Sequence, residues 1–300
     1  MLVIGASGLV GGNLLHLSPH YQCVVIPAFH KYFPGEYRET ALELDITDPH
    51  AVQKGLEVLQ LDCVVNLSCM EVAQAETDPE RARQVHADGV QELASACKDY
   101  NIRFIHLSTD MVYSGEKGMP YTLQDEPDPI SVYGRTKLEG EKAIQGTGCN
   151  FVILRSALVL GRGRFRKGGF LDWMVEKIVK GEKIPLYADQ LRTPIVVDDL
   201  VDVIFRLAAS SFTGTLLVGG DEGLNRVEVG EKLLSSMRLP RELIKPILAA
   251  EQKSFVPLQR DLRLDNTTLK EIVAREKFMR IEDYFLRLSE RGELINAGGG

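Results

Sequence analysis

Leu2-Val3-Ile4-Gly5-Ala6-Ser7-Gly8-Leu9-Val10-Gly11 decides the fold. A short β-branched and leucine run ends in glycines spaced G-x-x-G-x-x-G, and an apolar helical pattern follows at once. That order is strand, tight turn, helix. Gly5 permits the turn, Gly8 lets the backbone approach a pyrophosphate at the helix N-terminus, and Gly11 allows the helix to lie close on the sheet. Ser7, Leu9 and Val10 belong to the same turn and are assigned with it to a dinucleotide site.

Outward from this unit, the runs Cys23-Val24-Val25-Ile26, Cys63-Val64-Val65-Asn66, Phe104-Ile105-His106-Leu107 and Phe151-Val152-Ile153-Leu154 recur between longer helical patterns. The stretches 48–59, 79–99 and 131–145 place apolar residues three and four apart, as in Val85, Val90, Leu93 and Cys97. Alternation of this kind predicts α/β architecture, a doubly wound parallel sheet of Rossmann type. Asp48-Pro49 and Asp78-Pro79 each supply an N-cap followed by proline in the first turn. The sequence predicts a dinucleotide-binding domain over 1–155, a smaller α/β substrate lobe over 156–295 with a crossover near 184–210, and a tail at 296–300. Helices are expected near 169–180, 198–209 and 227–237.

The 300 residues are 44% hydrophobic and 26% charged, a soluble globular balance, and the net charge of −7 offers no field for nucleic acid or anionic lipid. Five scattered cysteines without a C-x-x-C pair fit neither a disulfide framework nor a zinc site, and no metal ligand set is expected. The first residues lack the basic region of a signal peptide, and no apolar run reaches the roughly 18 residues of a membrane span. A cytoplasmic protein is expected.

The residues after the second strand select the dinucleotide. No Asp or Glu stands there to take a ribose 2′-hydroxyl; Pro27-Ala28-Phe29-His30-Lys31 offers cations that suit a 2′-phosphate, so NADP is favoured and NAD stays open. Asp45, with Ile46 beside it, stands where a carboxylate can accept from the adenine amino group. Tyr133 and Lys137 are four apart on a helical pattern and share one face, where an ammonium can tune a phenol. Ser108-Thr109-Asp110 follows a strand at its carboxyl end, where open α/β sheets bind ligands. His106 is expected to be a satisfied core histidine, and Trp173 to pack between lobes.

Glycine loop, mid-chain hydroxyl residue and Tyr-x-x-x-Lys together resemble the extended short-chain dehydrogenase/reductase superfamily, over most of the first 200 residues. Within it, Leu107-Ser108-Thr109-Asp110-Met111-Val112-Tyr113, Tyr133-Gly134-Arg135-Thr136-Lys137-Leu138-Glu139-Gly140-Glu141 and Asp189-Gln190 are most similar to the dTDP-4-dehydrorhamnose reductases. The resemblance implies an NADP-dependent oxidoreductase acting on a nucleotide-linked 4-keto sugar. It makes Tyr133 the proton donor to the carbonyl oxygen as nicotinamide delivers hydride, Lys137 the residue that tunes Tyr133 and binds ribose, and Thr109 the residue that orients the carbonyl. It lines the nicotinamide half with Leu67, Ser68 and Cys69 and puts Ser108 and Asp110 beside the substrate. Met111 stands where the dehydratases carry glutamate, which argues against dehydration.

Two positions depart from the pattern: His86 replaces the usual asparagine, and Leu158 stands where the rhamnose enzymes tend to have tryptophan. They sustain a rival reading, a non-catalytic NADP-holding subunit similar to the β subunit of methionine adenosyltransferase. An epimerase with bound NAD would need an acidic second-strand end. The loop Gly161–Gly169 carries Arg162, Arg164, Arg166 and Lys167; Arg164 is assigned to the substrate, as is Arg192, which resembles the superfamily's phosphate-reaching arginine. A homodimer is left open.

Overall fold

The computed structural model describes residues 1–32, 34–37 and 39–294, so the tail expected at 296–300 lies outside the described residues. The central sheet contains β1 (Leu2–Ile4), β2 (Ile26–Phe29), β3 (Leu42–Glu43), β4 (Cys63–Asn66), β5 (Arg103–Thr109), β6 (Phe151–Ser156) and a further strand, Gly214–Val218. All pairings are parallel, in the order Gly214–Val218, β6, β5, β4, β1, β2, β3. The order reverses between β1 and β4, which opens a crevice at the carboxyl ends of these strands.

Helices cover both faces, which is why the strands read as unbroken apolar runs. On one face lie α1 (Leu9–Leu17) and, from later in the chain, a helix at Val197–Ala208; on the other lie α2 (Pro49–Glu57), a helix at Gly89–Asp99 and one at Val132–Thr147. Val90 and Leu93 are fully buried, and each such side chain contributes about 1.5–3 kcal/mol. Both expected N-caps are present: Asp48 accepts from the His50 and Ala51 N–H groups, and Asp78 accepts from that of Arg81.

Three expectations shift. The second strand begins at Ile26 rather than Cys23, and Val24 is exposed. Pro27 tolerates the strand because β3 pairs only with Ala28 and Phe29, so no neighbour on that side needs its missing N–H. The stretch 79–99 is not one regular helix. After a short α3 (Val72–Thr77) it runs as α4 (Pro79–Arg83), a π turn at Gln84–Asp88 and α5 (Gly89–Asp99). Finally, no single cut at 155/156 separates the lobes. After α6 (Val132–Thr147) and α7 (Phe170–Val179), the helix α8 (Val197–Ala208) packs on α1, and Gly214–Val218 becomes the edge strand beside β6. The smaller lobe keeps α7, the pair Ile184–Tyr187 with Ile244–Ile247, and α9 (Arg226–Ser236) against that pair. No helix among the described residues is long and apolar enough to cross a membrane.

Candidate active site

The turn after β1 is built for close approach. Gly5 has φ +79°, and a Cβ there would stand 2.8 Å from the Leu67 carbonyl carbon; a Cβ on Gly11 would stand 2.5 Å from the Gly5 oxygen. No acid occupies the first turn of α1, so its free N–H groups, those of Leu9 and Val10 among them, suit an anion. The cleft above them, about 420 Å³, is lined by Gly5, Ser7, Gly8, His30, Lys31, Asp45, Ile46, Leu67, Ser68 and Cys69, all expected from sequence. Nine further lining residues were not assigned to the cofactor, among them the polar Tyr32, Gln74, Arg81 and Arg166.

Charges at the far end of this cleft pair with one another. Asp45 lies 3.1 Å from His30 Nε2 and 3.8 Å from an Arg81 nitrogen, and its other oxygen accepts from the Thr47 N–H and hydroxyl. Burial works against ionisation of Asp45, but the Thr47 bonds, then His30 and Arg81, outweigh it and hold the carboxyl below its ordinary value. Arg166 enters from the basic loop, which the Tyr32 hydroxyl ties down by donating to the Phe165 carbonyl at 3.3 Å. Arg164 corrects the expectation: its Nε donates to Asn13 Oδ1 at 3.0 Å and it pairs with Glu293 at 3.5 Å, so it bolts the loop to α1 instead of facing substrate.

Ser131 caps α6 by accepting from the Gly134 N–H, and Tyr133 and Lys137 follow on one face. The helix approaches the π turn so closely that a Cβ on Gly140 would overlap the His86 carbonyl oxygen. Lys137 Nζ donates to the Leu107 carbonyl at 2.7 Å and lies 3.2 Å from His106 Nε2, so His106 is a neighbour of the site and not merely a core residue. Burial lowers the Lys137 amine to about 8, with Cys69 and Glu141 opposing. Burial, then Cys69 and Asp110, holds the Tyr133 phenol well above its usual value. Tyr133 therefore senses a residue of the dinucleotide cleft and Asp110, just after β5, at once.

His86, the departure on the π turn, is fully engaged. Its Nε2 accepts from the Met70 N–H at 2.9 Å, which puts the ring proton on Nδ1, 2.9 Å from the Thr136 hydroxyl, and its ring meets that of Tyr133 edge-on. Burial, with Lys137 adding to it, lowers its pKa to about 3, so the ring is neutral. Leu158 packs against the main core.

At the end of β5, strand alternation sends Ser108 and Thr109 to opposite faces. Ser108 corrects the expectation: its hydroxyl donates to Glu141 at 2.5 Å, inside a buried network in which Arg155 binds Glu141 at 2.7 Å and the Tyr113 hydroxyl at 2.8 Å. Thr109 accepts from the Met111 N–H at 3.1 Å and donates to Asp110 Oδ1 at 3.2 Å. Asp110 Oδ2 lies 3.4 Å from Arg192 Nε, an ion pair without hydrogen-bond geometry, and it is a buried oxygen with no hydrogen bond. Arg192 also reaches the Leu191 and Gln259 carbonyls. Burial, against Arg192 and Arg226, raises the Asp110 carboxyl. Arg226, at the first turn of α9, completes the cluster. Its Nη1 is buried without a hydrogen bond, its guanidinium lies over the Phe170 ring at 4.6 Å, and Trp173 stacks on that same ring at 5.7 Å. Nothing in the sequence near residue 226 announces it; only the fold brings it to Asp110.

Residues 1–280 match the RmlD substrate binding domain family. This chain belongs to that family. A probable low-salt glycan biosynthesis reductase, Agl14, of Haloferax volcanii is 31% identical to this RmlD-family chain over 252 residues, covering 83% of it and 84% of the relative. A dTDP-4-dehydrorhamnose reductase of Mycolicibacterium smegmatis is 30% identical, covering 82% and 72%. The fold matches a crystal structure of dTDP-4-dehydrorhamnose reductase from Bacillus anthracis in complex with NADP, with TM-score 0.84 over 97% of this chain and 98% of that one at 22% identity.

Proposed function

We propose that this protein is an NADP(H)-dependent reductase of a nucleotide-linked 4-keto sugar. The observation that carries this is the Tyr133 phenol on the same face of α6 as Lys137, acted on both by Cys69 of the dinucleotide cleft and by Asp110, which pairs with the buried Arg192. When bound, the reduced cofactor supplies a hydride to a carbonyl carbon. The cleft fits it: the Gly5 turn and the α1 N-terminus suit the pyrophosphate, and Lys31 and Arg166 suit a 2′-phosphate while Asp45 pairs with His30 and Arg81.

Tyr133 then gives its proton to the carbonyl oxygen as that carbon is reduced, and Thr109 orients the carbonyl. The raised phenol pKa suits a donor that must arrive protonated. Asp110 Oδ2, lacking a hydrogen bond, suits a sugar hydroxyl, and Arg192 with Arg226 suits the diphosphate. The relatives named as reductases support the same chemistry.

His86 supports catalysis over the rival non-catalytic reading, because both its nitrogens are used in packing α6 and Met70 and neither obstructs the dyad. The test is oxidation of NADPH, followed at the reduced-nicotinamide absorbance band, with a panel of nucleotide 4-keto sugars. Turnover with one of them is expected. Tight NADPH binding with no oxidation across the panel would reject the reductase in favour of a cofactor-holding subunit.

A further inference from the structure

An acid at the third position of a helix ordinarily reaches back to the N–H of its own N-cap. Asp172 holds that position in α7, whose N-cap is Gly169, but it bonds elsewhere. Its Oδ2 accepts from the Gly168 N–H at 2.9 Å and from the Gly163 N–H at 2.8 Å, while Oδ1 stands 3.0 Å from Arg162 Nε. One oxygen of a buried carboxylate thus gathers both ends of the basic segment 163–168. The glycines fit this closed shape: a Cβ on Gly163 would overlap the Arg166 carbonyl oxygen, and Gly169 has φ +86°.

The segment leans on α1 and meets the far wall of the dinucleotide cleft. Asn13, buried on α1, donates to the Arg162 carbonyl at 2.9 Å and accepts from Arg164. Phe165 lies over Gly12, where a Cβ would stand 3.2 Å from its ring. From the other side, after β2, the Tyr32 hydroxyl donates to the Phe165 carbonyl. Arg162 and Arg164 are paired within the protein; among the described residues Arg166 makes no ion pair, and it lines the cleft. Asp172 does not line the cleft, so it can act on a ligand only through this segment.

We propose that residues 163–168 form a strap over the bound dinucleotide and that Asp172 is its clasp, a positioning residue that holds Arg166 ready for the cofactor phosphate. The functional part of this rests on the reading of the cleft as an NADP site. Arg166 has no side-chain partner to fix it, so its place depends on its backbone. A loose loop must be ordered at every binding event, and that entropy is subtracted from affinity; a clasped loop is ordered beforehand.

The first measurement needs no cofactor. In the free parent protein the Gly163 and Gly168 amides should exchange slowly with solvent deuterons, because each N–H is held by Asp172. Fast exchange of both overturns the clasp whatever the cleft binds. The second is a titration of NADPH and of NADH. Asp172→Ala should weaken NADPH about three- to tenfold, most of what Arg166→Ala removes, and leave NADH nearly unchanged. In an Arg166→Ala background it should add almost nothing. A purely structural role would weaken both cofactors alike, and that result, or an undiminished loss in the Arg166→Ala background, rejects the proposal. Tyr32→Phe, a change on an exposed side chain that does not test folding, removes the tie at the strap's tip. It should weaken NADPH about two- to threefold, again only while Arg166 is present; no change there rejects the strap even if Asp172→Ala fails to fold. A parent that binds neither cofactor would overturn the NADP reading and the strap's role together, while the exchange result would still report on the clasp.

Discussion

The two ends of the cleft handle charge in opposite ways. At the dinucleotide end, His30 and Asp45 are 42% and 32% exposed and pair with each other; at the other end, Arg192 and Asp110 are 7% exposed each and fail to make a hydrogen bond between them. Arg226 goes further, since burial first, and then Arg192, lowers its pKa to about 9, with only Asp110 opposing. Screened rim charges cost little and discriminate weakly. Buried, under-paired charges cost stability and gain it back only from a ligand of matching chemistry. On the proposed reading, selectivity for the substrate belongs to the second end, and selectivity for the cofactor phosphate to the first.

The sharpest way to break this division is at its boundary. Tyr133→Phe removes the proton donor between the two ends, and turnover should fall by about 10²–10⁴ while NADPH affinity, measured by fluorescence titration, stays nearly unchanged. A loss of cofactor binding instead would place Tyr133 wholly at the dinucleotide end. Arg226→Met should raise KM for the nucleotide sugar about 10- to 100-fold, the value of one or two charge-assisted hydrogen bonds, with NADPH affinity unmoved. Arg166→Ala should do the converse. NADPH binding weakens by about tenfold, as for one partly screened phosphate contact, and NADH binding and the sugar KM hold. An effect of Arg166→Ala on the sugar KM alone would return the basic loop to the substrate side.

The smallest effect concerns the floor between the ends, where His86 and His106 are buried and neutral. Their folded pKa values lie below the unfolded value, so below about pH 6.5 the unfolded chain binds more protons and stability falls as pH falls. Each histidine should cost about 1.4 kcal/mol per pH unit once the pH is well below 6.5. Urea unfolding at pH 7, 6 and 5 measures the slope, and His86→Asn should remove about half of it.

What the sequence made legible were features whose causes are local. The Gly5–Gly11 turn, the Asp48-Pro49 and Asp78-Pro79 helix starts and the Tyr133–Lys137 spacing each need only a few consecutive residues. Ser108 was misplaced because adjacent strand residues point oppositely, and only the packing of α6 shows which one meets Glu141. Arg164 and Arg166, two apart, likewise go to different partners. The second strand was misread because Val24 and Val25 are good strand residues, whereas its true register runs through Pro27, which sequence rules disfavour. The π turn at His86 and the convergence of Asp110, Arg192 and Arg226 arise from contacts between segments about 50 to 116 positions apart, and periodicity carries no trace of them.

The return of Gly214–Val218 to the flank of β6 also sets an order of events during synthesis. Residues 1–155 can wind most of the sheet as they emerge, but β6 keeps one row of N–H and C=O groups open until the chain has been made to residue 218. A fragment stopped at 155 carries that open edge permanently and presents it to its own copies. The later lobe thus also acts as the stitch that closes the first.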